Sequence, residues 1–339
     1  MTKFSIDEIM KNYSIPKKDR DSYKCKGKSE KEIHVIISDV DRSFQFLSDE
    51  FEFKKNIFKY ILTKILIKMK KDYVQGMSEI GSVIVFYYFN DLIDQKNKKK
   101  EKIEEENTES KENEDMSTQT SEEKSLNSSE DKSTQEDKKT NTQTDEDKFS
   151  KRSKNKLHKK KSKNIDYSEY VDKKIFDKAL ITLYNIITEK YEPMIVNDFK
   201  MYLEYNSVFI RMMSKRNKLI KPDESLRFMN TTLTWFIRSL TSINDIYTIF
   251  GYILSCPTSF TFLLLVKYYD LIVLNEDINS LDDDLYEQLI KLEKEFLKTE
   301  FEMKQPKYKI SKKMGALVFG SVVIIGLGVL YKIKKGDDG

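Results

Sequence analysis

Histidine, cysteine and glycine are scarce in this chain of 339 residues. The two histidines, His34 and His158, are too few for a histidine-rich metal site or a histidine-based triad. The two cysteines, Cys25 and Cys256, have no CxxC spacing, which excludes a disulfide framework and a zinc cluster and is typical of a reduced compartment. Ten glycines form neither a P-loop nor a GxGxxG fingerprint, so we expect no nucleotide or other cofactor on this chain.

The charge balance gives no sign of a nucleic-acid partner. Lys and Arg number 60 against 56 Asp and Glu, for a formal net charge of +4. This net charge is small for the size of the chain, and in a composition rich in Lys, Asn, Ile and Tyr a scattered lysine is weak evidence for a nucleic-acid partner. We therefore expect no nucleic acid among the partners.

A polar tract at residues 95–164 interrupts the chain. Residues 101–147 carry 17 acidic and 6 basic side chains, and residues 148–163 carry 9 basic and no acidic ones. Few large apolar side chains are present to offset the entropy of ordering, so the tract predicts a disordered insertion looped out of a folded domain. An alternative is that the basic block lies against an anionic cytoplasmic leaflet.

Apolar side chains recur with helical spacing on both sides of this tract. The pattern predicts helices over 56–69, 73–93 and 168–191, with four or five more before Phe301. Residues 245–273 are rich in β-branched and aromatic residues, but they lack period-two alternation and predict a buried helix pair broken near Cys256 and Pro257. The predicted fold class is all-α.

The C-terminal region contains an 18-residue apolar run at 314–331, with lysines on both sides. At 1.5 Å per residue, this run is roughly 27 Å long as a helix, which suffices for a thin bilayer. We expect a transmembrane tail anchor at 314–332, no N-terminal signal, and everything before it on the cytosolic face of an intracellular membrane. The endoplasmic reticulum or Golgi is the favoured location, and the outer membrane of a mitochondrion or its relic is the alternative.

Three Thr-Gln tetrads lie within the polar tract. They resemble the TQT peptides that add an edge strand to dynein light chain. The candidate light-chain contacts run from Thr118 to Thr120, from Thr134 to Glu136 and from Thr142 to Thr144. The alternative is a chance occurrence in a Ser- and Thr-rich tract.

Two short motifs place polar residues inside apolar helical sequence. The first is Ile36-x-x-Asp39-x-x-Arg42, in which the acid and the arginine share a helix face, and the second is Tyr73-x-Gln75. By themselves, they are read as a surface pair and a helix cap. Together, in this order and beside an all-helical remainder, they resemble the IxxDxxR and YxQ signature of the TBC domain, the GTPase-activating domain for Rab proteins.

This resemblance implies a division of the chain and a set of roles. Residues 1–31 form a lead segment, 32–94 and 165–305 form the two parts of a TBC domain, and 95–164 form the insertion. Arg42 is then the finger that stabilises charge on the transferring phosphoryl group, and Gln75 orients the attacking water. Asp39 holds Arg42, and Tyr73 orients the second loop. GTP and Mg²⁺ belong to the Rab partner, so the protein is a GTPase activator and not itself a hydrolase.

The resemblance also has departures and a competing interpretation. Trp235 is the sole tryptophan, so the upstream Arg-Trp motif of the family is missing, and Gly251 stands near the place of an expected aspartate. The segment around Trp235 resembles the family's tryptophan-bearing helix. The single C-terminal anchor resembles TBC proteins that act on the Rab of endoplasmic-reticulum-to-Golgi traffic. The alternative function is an inactive TBC-like membrane adaptor that binds a Rab or recruits dynein light chain.

Overall fold

The computed structural model describes residues 4–25, 27–117 and 166–305. Within these residues the regular structure is helical, and extended pairing is limited to two isolated bridges, Lys24 with Met69 and Leu240 with Ile278. The all-helical prediction is therefore confirmed for this part of the chain. The chain divides into two compact units, the first comprising Met1–Ile93 and Glu169–Gly339 and the second Asp94–Ser168.

Four α-helices precede the gap in the described chain. They are α1, Ile6–Tyr13; α2, Glu30–Asp41; α3, Glu52–Lys68; and α4, Met77–Ser117. Short 3-10 turns at Arg20–Tyr23 and Asp49–Phe51 lie between them. The helix predicted over 56–69 is thus present as α3.

Seven α-helices follow the gap. The first, α5, spans Lys173–Ile186, after a 3-10 turn at Tyr167–Tyr170, and continues into a single π-helical turn at Ile187–Tyr191. The others are α6, Glu192–Lys215; α7, Pro222–Leu233; α8, Ile243–Ser255; α9, Phe260–Lys267; α10, Tyr269–Leu274; and α11, Leu285–Lys304. Non-helical backbone at Val196, Asn197, Asp198 and Phe199 kinks α6. Cys256 and Pro257 separate α8 from α9, as predicted. The six helices after residue 191 exceed the expected four or five, because Tyr268 separates α9 from the short α10.

Two predicted boundaries of the second helix are wrong. We expected it to open near Tyr73 and to close at residue 93, but α4 opens at Met77 and runs to Ser117. The first part of the predicted insertion, 95–117, is therefore helical. Residues 118–164, with their Thr-Gln tetrads, and the predicted anchor at 314–332 lie outside the described residues. Among the helices that are described, none combines the length and the apolar character needed to cross a bilayer.

The segment around Trp235 also differs from the prediction. Trp235 follows the end of α7, in a turn where both it and Phe236 have left-handed φ angles, +51° and +63°. The indole ring is buried, with its centroid 5.3 Å from that of Phe250 on α8 and 6.4 Å from that of Tyr191. The tryptophan therefore lies in a turn after a helix, not within one, and its ring packs into the core.

The first unit places the two sequence motifs beside each other. Helix α2 is capped by Ser29, whose side chain accepts the Glu32 N–H at 3.2 Å, and it packs against α3. The segment 69–76 then connects α3 to α4. This arrangement brings the end of α3 and the segment with the second motif back along α2.

Candidate functional site

Asp39 is the buried residue at the centre of the predicted site. It lies near the C-terminal end of α2 and is 5% exposed. Its Oδ1 atom forms an ion pair with Arg42 Nη2, and its Oδ2 atom accepts a hydrogen bond of 2.8 Å from the Tyr73 hydroxyl. The structure thus places Asp39 against Arg42, as their spacing predicts, and brings Tyr73 to the same carboxylate.

Arg42 extends from the buried carboxylate into solvent. It is the C-cap residue of α2, its backbone N–H donates to the Asp39 carbonyl at 3.2 Å, and its side chain is 56% exposed. A guanidinium carries five N–H donors in a planar fork, and the pair with Asp39 engages one of its nitrogens. The exposed remainder of the fork can therefore bind an anionic group on another molecule.

Tyr73 ties the second motif to α2 at two points. Its hydroxyl donates to Asp39, and its backbone N–H donates to Glu32 Oε1 at 3.0 Å. Burial raises the pKa of the Tyr73 hydroxyl; a hydrogen bond with Ser78 opposes that shift, and the adjacent Asp39 carboxylate adds to it. The hydroxyl therefore stays protonated and remains a donor to Asp39 at neutral pH.

Charged side chains fix the remainder of the connecting segment. Lys28 Nζ lies 2.6 Å from Glu32 Oε1 and 2.5 Å from the Lys71 carbonyl, and Lys71 Nζ lies 2.5 Å from Glu192 Oε2. Burial raises the pKa of Glu32, but the hydrogen bonds from Lys28 and the Tyr73 N–H outweigh burial and lower it below its ordinary value. The ionised carboxylate thus holds α2 to the segment before α4.

The side chain and the backbone of Gln75 lie in different environments. The side chain is exposed, whereas the backbone carbonyl of Gln75 accepts a hydrogen bond from the hydroxyl of the fully buried Tyr191. The next residue, Gly76, has φ +100°, and a Cβ there would lie 2.5 Å from the Tyr191 hydroxyl and 2.6 Å from the Leu233 carbonyl. Only glycine fits this close approach without displacement.

A partly buried ion pair continues the support next to Gly76. Glu79, in the first turn of α4, is 1% exposed and binds Arg238 from the 3-10 turn Ile237–Ser239. The Ser78 hydroxyl also donates to Glu79, at 2.7 Å. Among the described residues, the buried Nε of Arg238 has no hydrogen-bond partner. The ion pair fastens the start of α4 to the turn that carries Trp235.

Tyr191, Glu79 and Arg238 are functional candidates that the motifs did not reveal. The Tyr191 hydroxyl reaches Gln75 across 116 positions of sequence, and Arg238 reaches Glu79 across 159. A charge at Glu79 within an apolar helix was the one local signal. The π-helical turn that ends at Tyr191 has no sequence signature, although such turns are frequent at functional sites.

A cavity of about 520 Å³ lies behind the connecting segment, between the start of α2 and the junction of α5 with α6. Of its three cationic lining residues, Lys28 and Lys71 are paired with Glu32 and Glu192, as described above, and Lys70 is exposed. Within the described part of the chain, no group of three or more His, Cys, Asp or Glu side chains is arranged to hold a metal ion. The chemistry that the site offers is an exposed guanidinium and an exposed amide on a rigid support.

Comparison with known proteins identifies one full-length relative. An uncharacterized membrane protein of Encephalitozoon cuniculi (strain GB-M1) is 31% identical over 334 residues, which cover 97% of this chain and 98% of the relative. No family model matches the chain, and no solved structure matches it. Identity at this level over nearly the whole of both sequences shows that the chain belongs to the family of this Encephalitozoon membrane protein.

Proposed function

We propose that the protein is a GTPase-activating protein for a Rab-family small GTPase, with Arg42 and Gln75 as the two inserted residues. The observation that carries the proposal is a shared support. Buried Asp39 binds both Arg42 and Tyr73, and Tyr73 lies two residues before Gln75. Two exposed polar groups are thereby fixed to one framework, as a site that acts on a bound partner requires.

The chemistry of GTP hydrolysis matches these two groups. Negative charge builds on the transferring phosphoryl oxygens, and an inserted arginine stabilises that charge by a factor of about 10³ to 10⁵ in rate. The attacking water must also be held in line, which a side-chain amide such as that of Gln75 can do. GTP and Mg²⁺ are bound by the Rab, so this chain supplies positioned side chains and no cofactor.

Membrane attachment is part of the same proposal. The relative from Encephalitozoon is named as a membrane protein, and the apolar run at 314–331 has the length and lysine flanks of a tail anchor. We place the helical domain on the cytosolic face, on endoplasmic reticulum or Golgi membranes. Holding activator and Rab on one membrane raises the effective concentration of each for the other.

Single-turnover GTP hydrolysis by a panel of purified Rab proteins tests this proposal. With the full chain in detergent micelles, at least one Rab should be accelerated, and Arg42→Ala or Gln75→Ala should each remove about 10³-fold or more of that acceleration. Arg211→Ala is the matched control, because Arg211 is an exposed arginine on α6 and should have no effect. Equal losses in all three variants, or no response from any Rab, would refute the proposal. GTP-dependent binding without acceleration would favour the adaptor function.

A further inference from the structure

Helix α11 has a buried face and an outward face that carries large apolar side chains. Its buried residues include Leu289 and Phe296, and the helix packs against α6 and α9. On the other side, Leu297 is 54% exposed and Phe301 is 65% exposed. Residues four apart are neighbours on a helix surface, so these two side chains form one continuous apolar strip.

Three exposed lysines border this apolar strip. Lys291, Lys294 and Lys298 are exposed, and within the described residues they take part in no ion pair. Their spacings of three and four from one another and from Leu297 and Phe301 put them on the same side of the helix. We call these five residues the α11 stripe.

The acidic residues in the C-terminal half of α11 form ion pairs with residues that are not part of the stripe. They form ion pairs at 2.5 to 2.9 Å, Glu295 with Arg216, Glu300 with Lys304, and Glu302 with Lys215. Two of these partners lie at the end of α6, against which the helix packs. The stripe therefore combines an apolar centre with three exposed lysines, and one exposed acid, Glu287, lies one turn before Lys291 on the same side of the helix.

The position of α11 in the chain identifies what can cover the stripe. The helix ends at Lys304, and nine residues, 305–313, connect it to the apolar run at 314–331. Nine residues reach at most roughly 30 Å, so an anchored run keeps the end of α11 within that distance of the bilayer. An apolar strip flanked by lysines is the surface that binds at an anionic membrane interface.

We propose that the α11 stripe lies on the cytosolic surface of a membrane that contains anionic lipids. Leu297 and Phe301 enter the boundary between headgroups and acyl chains, and the three lysines bind lipid phosphates. The inference rests on the membrane attachment in the proposed function, not on the GTPase activation. It uses none of the residues of the candidate site, because Arg42 and Gln75 are carried by α2 and the segment before α4.

The test places an environment-sensitive fluorophore on the full-length chain, with Cys25 and Cys256 replaced by serine. One label is attached through Phe301→Cys, and the matched control is attached through Leu274→Cys, since Leu274 is also 65% exposed but belongs to α10. Helical circular dichroism equal to that of the unlabelled chain shows that each variant is folded. The chains are reconstituted in phosphatidylcholine vesicles with and without phosphatidylserine, and some vesicles carry a quencher in the acyl chains.

The proposal expects a blue shift and lipid-dependent quenching for the label at 301 and neither for the label at 274. The shift should shrink without phosphatidylserine and in a variant with Lys291→Glu, Lys294→Glu and Lys298→Glu. If the chain floats with vesicles but both labels show the same emission as in water, the inference is overturned and the membrane attachment stands. If the label at 301 shows a blue shift but no quenching from the acyl chains, the inference is overturned in favour of a protein partner or a second copy. A chain that does not float would overturn the attachment and the inference together.

Discussion

Replacing Gly76 with alanine should destabilise the fold around the candidate site, because both the backbone angle and the close neighbours oppose a Cβ at this position. The backbone at this position has φ +100°, which side-chain-bearing residues rarely adopt, and the strain of forcing it costs about 1 to 3 kcal/mol. The new Cβ would also lie 2.6 Å from the Leu233 carbonyl and 2.5 Å from the Tyr191 hydroxyl. Displacing such neighbours in a packed core costs another ~1 to 3 kcal/mol.

The expected loss is therefore about 2 to 6 kcal/mol, a large part of the roughly 5 to 15 kcal/mol that stabilise a folded domain. Trp235 is the sole tryptophan and is buried beside Tyr191, so its emission reports urea unfolding of this region in detergent micelles. Tyr191→Phe should cost less in the Gly76→Ala chain than in the unaltered chain, because there it also removes the closer of the two obstacles.

Gly251 provides the matched control for this experiment. It lies inside α8, and a Cβ there would meet nothing closer than 3.7 Å. Alanine is favoured over glycine in a helix by about 0.5 to 1 kcal/mol, so Gly251→Ala should be neutral or slightly stabilising. The reasoning is refuted if both variants unfold at the same urea concentration as the unaltered protein.

Three further changes test the support of the site. Tyr191→Phe leaves the Gln75 carbonyl without its buried donor, so it should lower the free energy of unfolding by about 1 to 3 kcal/mol and reduce Rab-stimulated hydrolysis without weakening Rab binding. Glu79→Ala leaves the Arg238 side chain, which is 30% exposed, without its partner, and should lower the free energy of urea unfolding by about 1 to 3 kcal/mol. The lowered pKa of Glu32 means that its carboxylate stabilises the fold above its ordinary value of 4.5, and this contribution is lost as pH falls through the lowered pKa. Unfolding of the protein and of Glu32→Gln should therefore differ at neutral pH and converge in acid.

Local sequence patterns were sufficient for the first half of the site. Asp39 and Arg42 are three residues apart on one helix, so their pairing follows from helical geometry alone. The contacts of Tyr191 with Gln75 and of Arg238 with Glu79 join segments more than a hundred residues apart. Such contacts depend on how the helices pack, and no spacing in the sequence encodes them.

The prediction missed the end of α4 because apolar composition indicates whether a segment can build a core, not whether it can form a helix. Few apolar side chains lie between 95 and 117, so composition predicts that this stretch adds little to a core, and residues 94–168 form a unit separate from the one that holds the site. Helix formation, however, depends on backbone propensity, and Lys and Glu are among the good helix formers. A charged segment that continues an existing helix does not need to nucleate a new one, so α4 continues to Ser117.

The distribution of burial explains why this network suits a partner outside the chain. Asp39 and Tyr191 are buried, whereas Arg42 and Gln75, the groups that they hold, are exposed. An ion pair with an exposed arginine stabilises a fold by only about 0 to 1 kcal/mol, and removing the carboxylate from water opposes that gain. Stability alone is thus a weak reason for the arrangement. Under the proposed function the network fixes the Arg42 side chain and the backbone of Gln75 before a Rab arrives, and docking then excludes water and strengthens the contacts that these residues make.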